Sequence, residues 1–321
     1  MNQDIYVVIE HLRGQVADIS HIMLAAARVL AQTTGGGVVA VLLGHDARGL
    51  ADGLDADRVL YVDHPALADF TPDAYLKALA SLLGEEKPRA VLLGNTSIGS
   101  DVAGALSARL GLPLVSSCRS VSADGNLLSQ ICGGKIMVET KLADTSTLVT
   151  MIPGGYAPEG RQAQQAAQLA AVGVPPLEDV RVTLKQYIEP EAGDVDIAKE
   201  PILIAVGRGI QRQDNIELAQ DLSAALGGTV CASRPVVDQG WLPTNRLVGK
   251  SGKRVKPKLY LALGISGAPE HVEGMADSEA IIAINTDPAA PIFDIAKYGT
   301  TVDLFDLVPM LTKKVQEAKA A

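Results

Sequence analysis

What most constrains this chain is an alternation. Short β-branched runs give way, one after another, to stretches with helical spacing. "DIYVVIEH" at residues 4–11 is strand-like, and "SHIMLAAARVLAQTTGGG" at 20–37 reads as a helix capped by Ser20 and stopped by glycine. "GVVAVLLGH" and "RVLYVDH" read as strands. "TPDAYLKALASLLG" reads as a helix with Thr71 as its cap and Pro72 at its first position. "RAVLLGNTS" is then a strand and "GSDVAGALSARLG" a helix. Two parallel strands need a long crossover, and a helix is the compact way to make one. The pattern therefore predicts parallel βαβ units and an α/β fold.

The texture then changes. Residues 114–153 hold only strand-like runs, "PLVSSCRSV", "NLLSQICGG", "KIMVETKLAD" and "TLVTMIPGG", with Asp124-Gly125 as a hairpin signal. They predict a small antiparallel extension of the first domain. Residues 154–200 are rich in Ala, Gln, Pro and Glu, with one expected strand, "VRVTLKQYI", and a link ending in "EPEAGDVDIAKEP". From Pro201 the alternation resumes: strand "PILIAVGRGI", helix "NIELAQDLSAALGG", strand "TVCAS", a long loop, strand "KLYLALGIS", strand "AIIAINTD", strand-like "TTVDLF" and a last helix. In that helix Asp306 is the expected cap, with Pro309 in the first turn.

A length of 321 residues leads to two domains. The expected division is a nucleotide-binding-like α/β domain over 1–190, a linker over 191–200, and a Rossmann-like domain over 201–321. Each is expected to be a mostly parallel sheet with flanking helices. Aromatic residues make up only 3% of the chain, so the cores must be built from Val, Leu, Ile and Ala.

A net charge of −9 weighs against nucleic acid as a partner, because phosphate backbones ask for a basic face. No apolar run approaches the roughly 20 residues of a membrane span, so direct membrane insertion is not expected. The opening "MNQDIYVVIEH" reads as a first strand and not as a signal peptide, which makes a cytoplasmic protein the expectation. Cys118, Cys132 and Cys231 are far apart, with no CxxC. That pattern predicts buried thiols and no iron–sulfur cluster.

In the second half, each loop of interest follows the C-terminal end of an expected strand, where open parallel sheets bind ligands. The loops are "GRG" at 207–209, "SR" at 233–234, "GKSGK" at 249–253, "GISGAPEH" at 264–271, "NTD" at 285–287 and "VD" at 302–303. Glycines let backbone N–H groups approach phosphate oxygens, and arginine holds phosphate or a carbonyl-rich ring. An Asn or Asp suits ribose or adenine. Together these groups fit a dinucleotide cofactor.

Singly, each piece has an ordinary structural reading: a glycine pair as a turn, a lone His as a satisfied core residue, "GKSGK" as a solvated loop. "GRGIQR" also has Arg212 where the nicotinamide fingerprint needs its third glycine. There is no GxSxG, no HExxH and no set of residues with metal-ligand spacing; no metal site is expected. His11, His21, His45 and His64 lie in the first half, which leaves His271 without a second imidazole. A cofactor that performs the chemistry itself fits this poverty best. A nicotinamide-dependent dehydrogenase and a plain nucleotide-binding module are the rival readings.

"VGRGI", "ASRPVVDQGWLP", "VGKSGK", "LYLALGISGAPEH", "AINTDPAAPIFDIAKYG" and "VDLF" resemble, in order and spacing, the FAD-binding domain of the electron transfer flavoprotein α subunit. The resemblance covers nearly everything from Pro201 onward, and "GNTSIGSDVAGALSARLG" looks like the corresponding segment of the first half.

The resemblance implies an electron carrier and not a stand-alone enzyme. FAD would sit in the second domain. The first would contact a β subunit holding AMP, or a second FAD in electron-bifurcating members that use NADH. A flavin dehydrogenase would be the donor, and a quinone reductase or another redox protein the acceptor. The setting would be a prokaryotic cytoplasm, or the mitochondrial matrix for a processed form.

Position by position, the resemblance puts Arg208 against the FAD, followed by Ser233 and Arg234, the arginine near the isoalloxazine. Val248, Gly249, Lys250 and Ser251 would line the ring, Ser251 standing where the family has a Thr or Ser bonding flavin N5. Ser266, Gly267, Ala268, Pro269, Glu270 and His271 would wrap the cofactor, with His271 near flavin O2. Asn285 and Asp303 would take the ADP end. A donor or cation near N1 and O2 stabilises the reduced, anionic ring and raises its potential. The family commonly has Gln at the positions of Lys250 and Glu270. A charge of each sign there would flank the cofactor or form a pair, and Glu270 is expected to lower the potential.

Overall fold

All four residues of the first strand, β1 (Ile5–Val8), are buried, because it lies in the interior of a nine-stranded sheet. A two-residue ribbon, β2 (His11–Leu12) with β3 (Gln15–Val16), leads into α1 (Asp18–Thr34) and β4 (Val38–Gly44). Then come β5 (Arg58–Asp63), α2 (Pro72–Glu86), β6 (Ala90–Gly94) and α3 (Ser97–Leu110). The unit ends with β7 (Leu114–Val121), β8 (Leu127–Ile131), β9 (Ile136–Thr140), β10 (Thr147–Met151) and β11 (Gln168–Ala171). This computed structural model describes residues 2–132, 134–152, 156, 167–177, 179–187 and 195–320. The chain divides into two compact units, Met1–Tyr187 and Ile188–Ala321.

The first sheet runs β11-β5-β4-β1-β6-β10-β7-β8-β9. It is parallel except where β8 pairs with β7 and with β9. Successive side chains on a strand point to opposite faces. Ile5 and Val7 therefore meet Met23, Ala27 and Leu30 of α1, while Tyr6 and Val8 meet Tyr75 and Leu79 of α2 and Leu106 of α3. No helix among the described residues is long and apolar enough to cross a membrane.

Several expectations are corrected here. Ser20 does not cap α1; Ala17 holds that position. Ser20 is fully buried inside the first turn, where its hydroxyl accepts from Glu10 N (2.9 Å) and donates to Glu10 O (3.0 Å). Thr71 does precede α2, but its hydroxyl makes no capping bond. "TLVTM" is not part of the antiparallel extension. Its five residues are all buried, and it is inserted between β6 and β7, parallel to both. Residues 181–187 form no strand; Arg181 pairs with Asp73, and Tyr187 donates to Asp69. Ile188 and residues 189–194 of the expected link lie outside the described residues. The strand of this region is β11, which reached its edge position beside β5 without any strong β-forming signal. Cys132 is exposed, so only two of the three thiols are buried.

In the second unit, β12 (Ile202–Val206), α4 (Ile216–Leu226), β13 (Thr229–Ala232) and a short α5 (Arg234–Asp238) come first. They are followed by β14 (Leu259–Leu263), α6 (Pro269–Val272), β15 (Ile281–Ile284), β16 (Tyr298–Thr300) and α7 (Leu304–Ala320). The sheet is parallel throughout, in the order β13-β12-β14-β15-β16. That is a doubly wound arrangement, with its order reversing between β12 and β14. Ile204 and Val206 pack on Ile216, Ala219 and Leu222 of α4 and Leu304 and Val308 of α7. Leu203 and Ala205 pack on the other side, where loop residues Val248, Val255, Met275 and Ile292 form the cover. "TTVDLF" is split between β16 and the start of α7. Asp303, not Asp306, serves the helix start, accepting from Phe305 N (3.0 Å), and Pro309 lies inside the helix.

Candidate functional site

A cleft of about 640 Å³ opens at the reversal point of the second sheet. Its walls are the loops that leave the carboxyl ends of β12, β13, β14 and β15, together with residues 247–251. The glycines decide how those loops meet. A Cβ at Gly207 would come within 2.2 Å of the Gly264 carbonyl oxygen, and one at Gly209 within 2.6 Å of Gly264 Cα. Gly209 N donates to that carbonyl at 3.1 Å. Gly264 itself has φ 65°, open to glycine at little cost. Gly267 has φ 86°, and a Cβ there would fall 2.3 Å from Ile292 N. The close approach these glycines permit is, in the first place, that of one loop to another. It brings the loop ends round a common space.

His271 follows from that packing. It lies in α6, only 7% exposed, and lines the cleft. Its Nε2 is 2.9 Å from the hydroxyl of Tyr260, a fully buried residue of β14. Its Nδ1 is buried without a hydrogen-bond partner. Burial pushes the imidazole pKa down to about 4, with the nearby backbone of Val248 working the other way. His271 is therefore neutral at pH 7.

Arg234 opens α5. It donates to Ser251 Oγ at 3.0 Å and to Asp238 at 3.3 Å, which ties the 248–251 loop to the end of β13. Lys250 N donates to the Glu270 carbonyl at 2.7 Å. Among the described residues, the Lys250 and Glu270 side chains form no ion pair; both are exposed and line the cleft. Arg208 is exposed on the wall, and no side chain among the described residues bonds it. Asn285 uses its amide to hold the loop after β14, donating to Ile265 O at 2.8 Å.

Ser233, Val248, Gly249, Ser266 and Ala268 also line the cleft. Gly267 and Pro269 belong to the same loop without lining it, and Asp303 is not on the wall. Gly209, Gly264, Ile265 and Asp287 line it too, and Leu247, Pro235, Ala290 and Pro291 complete the lining. These last four carry no chemical signal, and sequence reasoning passed over them. Tyr260 was passed over too, although a hydroxyl in an otherwise aliphatic strand was a visible signal.

The first unit treats its own reversal point differently. Between the ends of β1 and β6, the Glu10 carboxylate accepts from the Thr96 hydroxyl at 2.9 Å. A Cβ at Gly94 or Gly99 would strike that carboxylate at 2.3 or 2.8 Å. Glu10 is 7% exposed, and burial raises its pKa against the opposing Thr96 hydroxyl and Gly94 backbone. The chain's own Glu10 side chain fills the place beside the N-terminus of α3.

Fold and cleft together define a class: two-domain α/β proteins that hold a ligand at the reversal point of a doubly wound sheet. Residues 5–177 match the model of the electron transfer flavoprotein domain, and residues 196–276 that of the electron transfer flavoprotein FAD-binding domain. The electron transfer flavoprotein subunit alpha of Thermoanaerobacterium thermosaccharolyticum is 36% identical over 326 residues, covering 99% of both chains. The acryloyl-CoA reductase electron transfer subunit beta of Anaerotignum propionicum is 35% identical over 356 residues, covering 99% of this chain and 97% of that one. The subunit alpha of Bacillus subtilis is 32% identical, covering 99% of this chain and 98% of its own. The chain belongs to the electron transfer flavoprotein alpha subunit family. Its role is electron transfer with a bound flavin, in company with a β subunit and redox partners.

Proposed function

We propose that the cleft of the second unit binds FAD, and that the chain carries electrons from flavin dehydrogenases to a quinone-linked or other acceptor as one half of an αβ heterodimer in the cytoplasm. The observation that carries this reading is the cleft itself, about 640 Å³ at the reversal point of a parallel sheet, walled by close-packed glycine loops and by Arg208, Arg234, Ser251 and His271.

When bound, FAD supplies the reversible uptake of electrons. The remaining work falls to side chains of this protein. Leu247 and Val248, both buried, keep water from one wall. Arg208, bonded by no side chain among the described residues, offers its guanidinium to phosphate or carbonyl oxygen. Arg234 donates to Ser251 Oγ, so the Ser251 O–H is left to donate to a ring acceptor. His271 faces the cleft as a neutral group, so its influence on the ring is that of a hydrogen bond and not of a full charge.

The test is the purified heterodimer. A yellow protein with flavin absorbance, releasing FAD on denaturation, supports the reading; a colourless protein or a nicotinamide-filled one overturns it. The Anaerotignum relative, whose name assigns it to one reductase, favours a second reading in which the chain serves a single dedicated acyl-CoA reductase. Counting flavins per heterodimer and titrating with NADH separates the ordinary carrier, with one FAD and AMP, from the bifurcating complex, with two flavins reducible by NADH.

A further inference from the structure

We infer that the Tyr260 hydroxyl fixes the tautomer of His271, so that this neutral imidazole of the cleft wall carries its proton on Nδ1. What a ligand gains from it rests on the flavin reading; the tautomer is a property of this chain alone.

Tyr260 and His271 are both buried, and their contact is a single hydrogen bond of 2.9 Å between the hydroxyl and Nε2. The rings do not stack: their centroids are 6.1 Å apart and their planes are inclined at 57°. The other polar neighbour of the Tyr260 hydroxyl is the Cys231 thiol, itself fully buried. Burial raises the Tyr260 phenol well above its ordinary range and pushes the Cys231 thiol up to about 12, so both keep their protons at neutral pH.

The hydroxyl proton thus has two places to go. A thiol sulfur is a weak acceptor and an imidazole nitrogen a good one. Donation to Nε2 requires that Nε2 carry no proton. A neutral ring has only one N–H, and it must then be on Nδ1.

The opposite tautomer needs two poorer arrangements. Nε2–H would donate to the Tyr260 oxygen, sending the hydroxyl proton to sulfur, and Nδ1 would be left as a bare, buried lone pair. One buried hydrogen bond is enough for a preference of about tenfold. A ligand acceptor that reaches this nitrogen in the bound state meets an N–H and not a lone pair. Tyr260 is a positioning residue: it acts on a ligand through His271.

The experiment uses the full chain, labelled with ¹⁵N in its histidine rings. His271 is assigned by the signal lost in His271→Gln, and its tautomer is read from long-range ¹H–¹⁵N correlations at pH 7. The unmodified chain is expected to show Nδ1–H over Nε2–H by about tenfold, and Tyr260→Phe to bring the ratio toward parity while Cys231→Ala leaves Nδ1–H dominant. An Nε2–H ring or an imidazolium in the unmodified chain overturns the inference, whether or not Tyr260→Phe folds. So does an unchanged ratio in a folded Tyr260→Phe chain.

The same labelled chains are then assembled with the β subunit, and FAD is added. Failure to bind FAD, with Nδ1–H in place, counts against the flavin reading and leaves the tautomer standing. FAD bound over an Nε2–H ring does the reverse.

Discussion

His271 is neutral because its ring is buried, and burial takes its pKa from 6.5 to about 4. In the unfolded chain the same ring titrates near its ordinary value of about 6.5. Between those values the unfolded state binds the proton and the folded state does not. Stability from this group is therefore full above about pH 6.5 and is lost as pH falls toward 4. The difference is about 3 kcal/mol at full extent. Urea denaturation at pH 7 and pH 4 should show the unmodified chain losing roughly that much more than His271→Gln; equal losses would dismiss the group as a pH sensor. On the flavin reading, Glu270 of the same wall is expected to have the opposite sign of influence, since a carboxylate near the ring disfavours its reduction. Spectroelectrochemistry of Glu270→Gln should show a rise in potential, on the order of tens of millivolts for an exposed charge. No change, or a fall, would remove the idea.

At the scale of elements, the loops after β12 and β14 are held together by glycine against glycine. Gly209→Ala would put a methyl 2.6 Å from Gly264 Cα, so the loops must separate. The expected result is a loss of about 1–3 kcal/mol in stability together with weaker FAD binding, read by thermal melting and flavin titration. An unchanged cleft would mean that the loops pack more loosely than their spacing implies. The reverse effect is expected in α7. Pro309 is exposed inside that helix, has no N–H to give, and crowds the preceding turn. Pro309→Ala should stabilise the second unit by about 1–2 kcal/mol, the helix gain less what the freer unfolded chain recovers. A lower melting temperature would show that the proline has a packing role.

At the scale of the whole molecule, the two units put the same layout to different uses. In one, the buried Glu10 carboxyl sits at the reversal point; in the other, a cleft lined by polar and glycine-rich loops. Flavin should therefore stabilise the second unit and leave the first alone. FAD at about a hundred times its dissociation constant adds about 2.7 kcal/mol to the unit it binds. Calorimetry should show one transition rising while the other stays; a shift in both by the same amount would mean that the units unfold together.

The sequence by itself determined the alternation of strand and helix, the parallel sheets, and the family. These are carried by local periodicity, by glycine stops and by motifs of fixed spacing, all of which are written in consecutive residues. It also supplied nearly the whole chemical lining of the cleft, because strand-end loops in a parallel sheet converge wherever the sheet is placed. Only the tertiary structure decided that "TLVTM" enters the middle of the first sheet, that Glu10 fills that sheet's reversal point, that Asp303 serves a helix start, and that Tyr260 stands behind His271. Each of these depends on a partner far away in the chain. Burial, pKa and tautomer are set by what packs against a group, and no local pattern records that.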